Sequence, residues 1–480
     1  MSLIKLAAEK FKAQQHQKNA VKKLNESKSL IAYHGLGSGK TLTSIMAGEK
    51  TPGTKLVLAP ASLLHNYRKE LHKFNISDTN YKLVSYEKFR RNPSSFINKY
   101  KPSMIIADEF HRTKDPDTLI GNTIRTARPH VKKFIGLTGS VAQNHPSEIG
   151  DLIYNATGKP ILGRNKQEFK HNFIHEKIVK PSFIGKLLGN KPGIVEEGKH
   201  LDKFRKATEP YIHTFSGDQE YMKHIPQVKE EVRHIVMNNE QEKYYDYAFG
   251  KTPSWVKYKI KHNLPPGKRE SVNLNAFLIA ARQTSNSIEP YGGSVHTPKM
   301  DMVLRDIEHG IKTDKNFKAT VYSNFLDAGL HPLAKRLKKH NIPYGMFTGE
   351  QTNSERNQMV YDYNAGKLKT MLLSPAGGEG LDLKGTKFMG ILDQSWNPEK
   401  TRQAIGRAAR FKSHESLPLE ERKLKVVQYL SEPQLGFAGK IKRIFKKDTH
   451  AIGVDEYIYN RAQEKENLNK QFTDILKGMQ

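Results

Sequence analysis

Gly35-Leu36-Gly37-Ser38-Gly39-Lys40-Thr41 follows the apolar run Leu30 to Tyr33 and leads into a helical pattern. The glycines let the backbone turn sharply and aim its N–H groups at phosphate oxygens. Lys40 is placed to reach β- and γ-phosphates, and the Thr41 hydroxyl to ligate magnesium. Gly35, Gly37, Ser38, Gly39, Lys40 and Thr41 are therefore the expected phosphate-binding set. One departure stands out: His34 occupies the first glycine position of the common G-x-x-x-x-G-K-[ST] pattern. Gly35, one residue later, is expected to serve the turn.

Outward from this loop, apolar runs alternate with amphipathic helical patterns. Leu30 to Tyr33, Leu56 to Ala59, Met104 to Ala107 and Phe134 to Leu137 read as buried strands. This predicts a parallel sheet with helices on both faces over residues 1–155. Residues 156–300 lose the alternation and read as a mostly helical insert and connector, with loops at 180–198 and 286–298. A second α/β lobe over 301–452 is expected from Ala319 to Ser323, Tyr344 to Phe347, Thr370 to Leu373, Phe388 to Asp393 and Leu424 to Tyr429. Residues 453–480 read as a charged helix. The predicted fold is α/β: two doubly wound parallel-sheet lobes with a helical insert.

Asp108 and Glu109 directly follow the run Met104 to Ala107. Neighbouring residues at a strand end point in different directions. One carboxylate can then hold magnesium while the other orients an attacking water. Gln17 lies on an earlier helical pattern, and its amide can both donate to and accept from an adenine edge. A solvated glutamine beside Gln14 and Gln15 is the plain alternative.

Pro398 opens a further helix, on which Gln403, Arg407 and Arg410 recur at i, i+4 and i+7. Two guanidiniums on one face suit bidentate binding of a γ-phosphate; alone, the helix would read as an exposed basic face. The loop Ser374 to Asp382 also follows a strand, and its glycines let backbone approach a ligand closely. Phosphate loop, acid pair and arginines together imply an ATPase using ATP and Mg²⁺, its site shared between two lobes.

Composition narrows the partner. The 480 residues carry 79 Lys and Arg against 49 Asp and Glu, a net charge of +30. Such an excess favours a polyanion, nucleic acid above all, over a merely soluble basic surface. The absence of cysteine excludes disulfides, Cys-bound zinc and Cys nucleophiles. No apolar run is long enough for a membrane span, and Met1 to Gln15 lacks a signal-peptide core. His171 and His175 are spaced i, i+4, but no third metal ligand is apparent.

In order along the chain, these motifs resemble the Swi/Snf-type ATPases of helicase superfamily 2. His16-Gln17, Gly35 to Thr41, Leu58 to Leu64 and Asp108-Glu109-Phe110-His111 match the early motifs. Tyr67 stands where the family usually has tryptophan, and Phe110 where it has alanine. Leu137 to Ser140, Val321 to Phe325, Ala376 to Leu383, Asp393 to Pro398 and Gln403 to Arg410 match the later ones. Asp455-Glu456-Tyr457 with Lys465 resembles the terminal brace. His213-Thr214 occupies the place of the family's paired arginines.

The resemblance implies RecA-like lobes and ATP-driven tracking along duplex DNA, with branched DNA a further substrate and RNA left open. It implies catalytic roles for Lys40, Asp108, Glu109, Arg407 and Arg410. Gly380 and Asp382 join the ATP-binding set, and His111, Thr138, Ser140 and Gln403 couple the cycle to the track. Ser62, Ser85, Ser323 and Gly378 are the expected phosphate-backbone contacts. The basic stretch Lys440 to Lys447 is a candidate DNA clamp or a solvated helix. The compact layout looks like phage or viral members, which places the expected location in the cytoplasm, or the host cytoplasm. Two rivals to a translocase are a strand-separating helicase and a non-catalytic DNA-binding scaffold.

Overall fold

The computed structural model describes residues 13–35, 37–114, 119–217, 219–267, 270–375, 381–435 and 451–478. The chain forms two compact units. Unit 1 comprises Met1–His175, Glu196–Asp218 and Glu466–Gln480; unit 2 comprises Glu176–Val195 and Gln219–Lys465.

Unit 1 is built on strands β1 (Ser29–His34), β2 (Lys55–Ala59), β3 (Tyr81–Ser85), β4 (Met104–Ala107) and β5 (Lys133–Thr138). After β6 (Ile174–Val179) and β7 (Gly193–Gly198), which pair in a separate two-stranded sheet, β8 (Ile212–Phe215) completes the larger sheet. Its order is β3-β2-β4-β5-β1-β8, and every pairing is parallel. Strands β2 and β4 are buried at every position, as expected of a sheet covered on both faces. One face packs Ile31, Leu58, Ile105, Phe110 and Phe134. The other packs Leu30, Val57, Ile106 and Leu137 against Ile45 and Tyr67.

Unit 2 carries β9 (Gln227–Val236), β10 (Ala319–Tyr322), β11 (Tyr344–Phe347), β12 (Thr370–Leu373), β13 (Phe388–Ile391) and β14 (Lys423–Glu432). The order is β11-β12-β10-β13-β14-β9, again all parallel. Both lobes are thus doubly wound α/β layers, as the alternation of patterns predicts.

The stretch 156–300 is not the single helical insert that its composition suggests. It supplies an edge strand to each sheet, β8 to the first and β9 to the second. Strand β9 (Gln-Val-Lys-Glu-Glu-Val-Arg-His-Ile-Val) buries only Ile235. An edge strand with solvated faces has no apolar period to betray it. Ladder bonds to β14 over ten paired positions create it.

The helices of this stretch, Asn239–Gly250, Ser254–Lys261 and Ser271–Asn286, contribute Tyr245, Phe249, Val256, Ile260 and Leu278 to a core in unit 2. Tyr457 and Ile458, from the terminal helix Val454–Lys477, complete that core. Its buried Asp455 accepts from Lys299 Nζ at 2.6 Å, and Lys299 is fully buried. The same ammonium donates to Asn286 Oδ1 at 2.8 Å and to the Leu392 carbonyl at 2.9 Å. The predicted brace is therefore built around a satisfied buried ion pair.

No helix among the described residues is long and apolar enough to cross a membrane. His171 and His175 share no helix face, because the helix Lys166–Phe173 ends before His175.

Candidate active site

Parallel strands bring their carboxyl ends to one sheet edge, where open α/β sheets bind ligands. In unit 1 the register pairs Tyr33 with Thr138, His34 with Phe215, Leu58 with Ala107, and Ala59 with Ser85. The phosphate loop, the acid pair and Thr138 thus emerge at one edge.

The loop ends at Gly39, which precedes the helix Lys40–Glu49. Among its described residues the left-handed ones are Gly37 (φ 83°) and Gly39 (φ 75°). Gly35 plays another part: its N–H donates to the Phe215 carbonyl at 2.9 Å. The turn falls to the second and third glycines, so His34 can take the first position. His34 is fully buried, and its Nε2 lies 2.8 Å from His213 Nδ1. Burial and the neighbouring His213 hold His34 down to about 2, so it is neutral. A Cβ on Gly39 would stand 2.5 Å from Gln17 Nε2.

Gln17 therefore sits behind the loop. Its Nε2 donates to the Gly39 carbonyl at 3.2 Å and the Ser38 carbonyl at 3.4 Å. Its Oε1 accepts from Gln14 N at 2.9 Å. Both ends of the amide expected to read adenine thus bond to the chain, its nitrogen holding the loop carbonyls. His16 adds a contact that the sequence does not advertise: Nε2 lies 3.0 Å from the Ser38 carbonyl, and its ring stacks on Phe215 at 3.6 Å.

Lys40 Nζ donates to the carbonyls of His34 and Gly35 at 3.1 and 3.0 Å. Thr41 is on the first turn, and its carbonyl accepts from Ser44 Oγ at 2.8 Å. Ser44 Oγ in turn lies 2.9 Å from the hydroxyl of buried Tyr67. The tyrosine in the family's tryptophan position thus ties the second strand's helix to the phosphate-loop helix.

Asp108 leaves β4 with its carboxylate accepting from Glu109 N at 3.0 Å. Burial and the adjacent Glu109 carboxylate push Asp108 up to about 6. Glu109 occupies the left-handed region (φ 49°), a costly conformation for a residue with a Cβ. Glu109 Oε2 lies 3.3 Å from His111 Nδ1, and His111 Nδ1 lies 3.3 Å from Thr138 Oγ1.

Thr138 gives its one hydroxyl hydrogen to the Ser140 carbonyl at 2.6 Å. His111 Nδ1 must then carry the hydrogen that points at Thr138. Burial and the Lys114 charge hold His111 down to about 4, so the ring is neutral with its proton on Nδ1. Glu109, His111, Thr138 and Ser140 form one polar chain from the acid pair to the end of β5.

In unit 2, Arg407 lies on the helix Pro398–Ala408. Arg410 does not, contrary to the i, i+7 expectation. Ala409 leaves helical geometry, and Ser413 Oγ closes the end by donating to the Ala408 carbonyl at 3.3 Å. Gln403 is exposed, and Arg407 and Arg410 are half-buried. Asp382 is exposed. Gly378, Gly380 and Lys440 to Lys447 lie outside the described residues.

Two expected backbone contacts are differently employed. Ser323 is fully buried and donates its hydroxyl to Asp393. Asn324 N and Nδ2 also donate to that carboxylate, at 3.1 and 2.5 Å. Ser323 thus ties the end of β10 to the end of β13. Ser85 caps the helix Tyr86–Arg91, its Oγ accepting from Lys88 N at 3.2 Å. Ser62 is exposed near the start of the helix Ala61–Lys73.

Hard oxygen donors from Thr41 and Asp108 suit magnesium. A glycine turn, a helix N-terminus and Lys40 suit a triphosphate. The residues present therefore fit ATP with Mg²⁺.

Comparison with known proteins shows what the chain is similar to. Residues 76–289 match the SNF2-related domain, and residues 299–412 match the helicase conserved C-terminal domain. A protein of Acanthamoeba polyphaga mimivirus, provisionally named an ATP-dependent RNA helicase, is 28% identical, over 96% of each chain. A termination factor NPH-I homolog of African swine fever virus is 22% identical, over 94% of this chain and 76% of its own. In fold, the Pyrococcus furiosus Hef helicase domain superposes with a TM-score of 0.51 at 14% identity, covering 92% of this chain and 99% of that one.

Proposed function

Because the chain belongs to the Swi/Snf-type ATPases of helicase superfamily 2, we propose that it is an ATP-driven translocase on duplex DNA that displaces bound proteins or remodels the duplex. The observation that carries the catalytic half is the polar chain from Glu109 through His111 to Thr138. It joins the water-orienting carboxylate to the end of a neighbouring strand.

In this reading Lys40 and the loop N–H groups hold the phosphates. Asp108 and Thr41 would hold magnesium, which would supply charge neutralisation to a bound triphosphate. Glu109 orients the attacking water and takes its proton, while Arg407 and Arg410 counter the charge that develops on the transferred group. His111, neutral and fixed in tautomer, passes a change at Glu109 to Thr138 and Ser140. The high positive charge supports a phosphate-gripping track.

The test is ATP turnover with duplex, single-stranded and branched DNA and with RNA, each at stated salt, beside triplex-displacement and strand-displacement assays. Duplex-stimulated turnover with triplex displacement and no unwinding is expected. Stimulation by RNA alone would overturn the DNA assignment, which the helicase name of the mimivirus relative makes the sharpest alternative. Absence of turnover with every nucleic acid would overturn the translocase.

A further inference from the structure

The strand β8 is an edge strand of four residues, Ile212–Phe215, and pairs with β1 alone. So short a ladder fixes its register weakly, and a slip of one residue would move every side chain to the other face. Side chains supply what the ladder lacks. Phe215 stands opposite His34, so His34, His213 and Phe215 share one face of the sheet. His34 Nε2 lies 2.8 Å from His213 Nδ1. The Phe215 ring stacks on His16, with centroids 3.6 Å apart and planes 4° from parallel. Both His34 and His213 stand where the chain departs from the family's pattern, and the two departures touch.

The direction of the histidine bond follows from burial. His34 Nδ1 is buried and meets no hydrogen-bond partner among the described residues. A bare lone pair there costs less than an orphaned N–H. His34 therefore carries its hydrogen on Nε2 and donates it to His213 Nδ1. Burial, and then the Lys23 charge, hold His213 down to about 4, so its Nδ1 keeps the lone pair that accepts.

The register fixed in this way is the one that holds the phosphate loop. The Phe215 carbonyl accepts from Gly35 N at 2.9 Å. On the far side of the loop, His16 Nε2 lies 3.0 Å from the Ser38 carbonyl and Gln17 Nε2 donates to the Gly39 carbonyl at 3.2 Å. The N–H groups of Gly39 and Lys40 lie across the same planar peptides and so point the opposite way. That is the direction from which a phosphate is bound. A slip of β8 would take Phe215 from Gly35 and from His16 together.

We propose that His213 and Phe215 are positioning residues for the ATP phosphates. They lock the register of β8, and β8 in turn holds the phosphate loop with its N–H groups outward. This rests on the ATP-hydrolysing reading above and adds to it residues that act only through the loop.

The experiment uses the full chain with His213→Ala and with His213→Asn. Position 213 is half-buried, and the Asn Oδ1 can stand where Nδ1 does and accept from His34. Three quantities are measured: binding of the N-methylanthraniloyl analogue of ATP, the KM and kcat of ATP turnover on duplex DNA, and thermal unfolding. His213→Ala should weaken analogue binding and raise KM by about five- to tenfold, the scale of one hydrogen bond. Its kcat should change little, because the loop grips ground state and transition state alike. His213→Asn should restore both binding and KM.

Unchanged binding in His213→Ala would overturn the proposal. So would equal loss in the two variants, or a fall in kcat and melting temperature with KM unchanged, which marks a purely structural pair. Should His213→Ala fail to fold, His213→Asn decides: wild-type binding supports the lock, and weakened binding in a folded variant overturns it. A wild type that binds the analogue yet hydrolyses no ATP would instead strike the underlying reading, while the binding comparison still tests the lock.

Discussion

Phe110 fills the space that a side chain at Gly136 would need. A Cβ built on Gly136 would lie 2.3 Å from Phe110 Cδ1, and Phe110 is fully buried. The residue that departs from the family's alanine in the acidic motif is thus accommodated by a glycine on the adjacent strand β5. The two positions form one packing unit beneath the acid pair.

Gly136→Ala should therefore overpack this site and destabilise the protein by about 1–3 kcal/mol. In a Phe110→Ala background the same change should cost almost nothing, because the obstructing ring is gone. Urea unfolding of the two single variants and the double variant measures the coupling. Additive losses would show that the two positions do not share the space.

Glu109→Gln should lower ATP turnover by about 100-fold or more while nucleotide binding survives, as expected when a water-activating group is removed. Lys40→Ala should instead weaken nucleotide binding itself. Stopped-flow binding of a fluorescent ATP analogue beside steady-state turnover separates the two; equal binding loss in both would refute the division of roles.

Arg407→Ala and Arg410→Ala should each lower turnover by roughly 10³-fold, the scale of an arginine finger. Arg407→Lys should restore little, since a point charge cannot replace a planar fork. Arg410 lies beyond the helix end at Ala408, so stiffening Ala409 tests its placement separately. Full turnover in Arg410→Ala would remove that residue from the catalytic set.

Asp455→Ala strands the buried Lys299 ammonium and should cost about 3–5 kcal/mol. A paired Lys299→Met/Asp455→Leu change should recover much of that loss, since neither charge is then buried alone. Thermal unfolding of the wild type and the two variants provides the comparison. A mild loss in Asp455→Ala would place the brace elsewhere.

Glu196 accepts from His145 Nε2 at 3.0 Å and also pairs with Lys170 in unit 1. These partners, acting against burial, hold its carboxyl down to about 2 from an ordinary 4.5. Its contribution to stability is complete above about pH 4.5 and is lost as pH falls through about 2. Glu196→Gln should lower stability at neutral pH and flatten the acid limb of the stability profile. An unchanged slope between those values would disprove the pairing.

Much of this was legible in one dimension. Strands β1, β2, β4 and β5 are apolar runs because both of their faces are covered, and their order with the phosphate loop and the acid pair is written directly in the chain. Edge strands β8 and β9 were not legible: β9 is largely solvated and carries no apolar period, β8 is only four residues long, and pairing with β1 and β14 makes them strands. The sequence by itself determined which chemical groups the protein holds: Lys40, Thr41, Asp108, Glu109, Arg407 and Arg410. Tertiary structure alone decided what several others do. Gln17 and Ser323 have the right polarity for a ligand, yet both donate hydrogen bonds to distant groups of the chain, the loop carbonyls and Asp393. Residue type sets what a group can bond. Burial and neighbours set what it does bond, and these come from contacts that no linear spacing records.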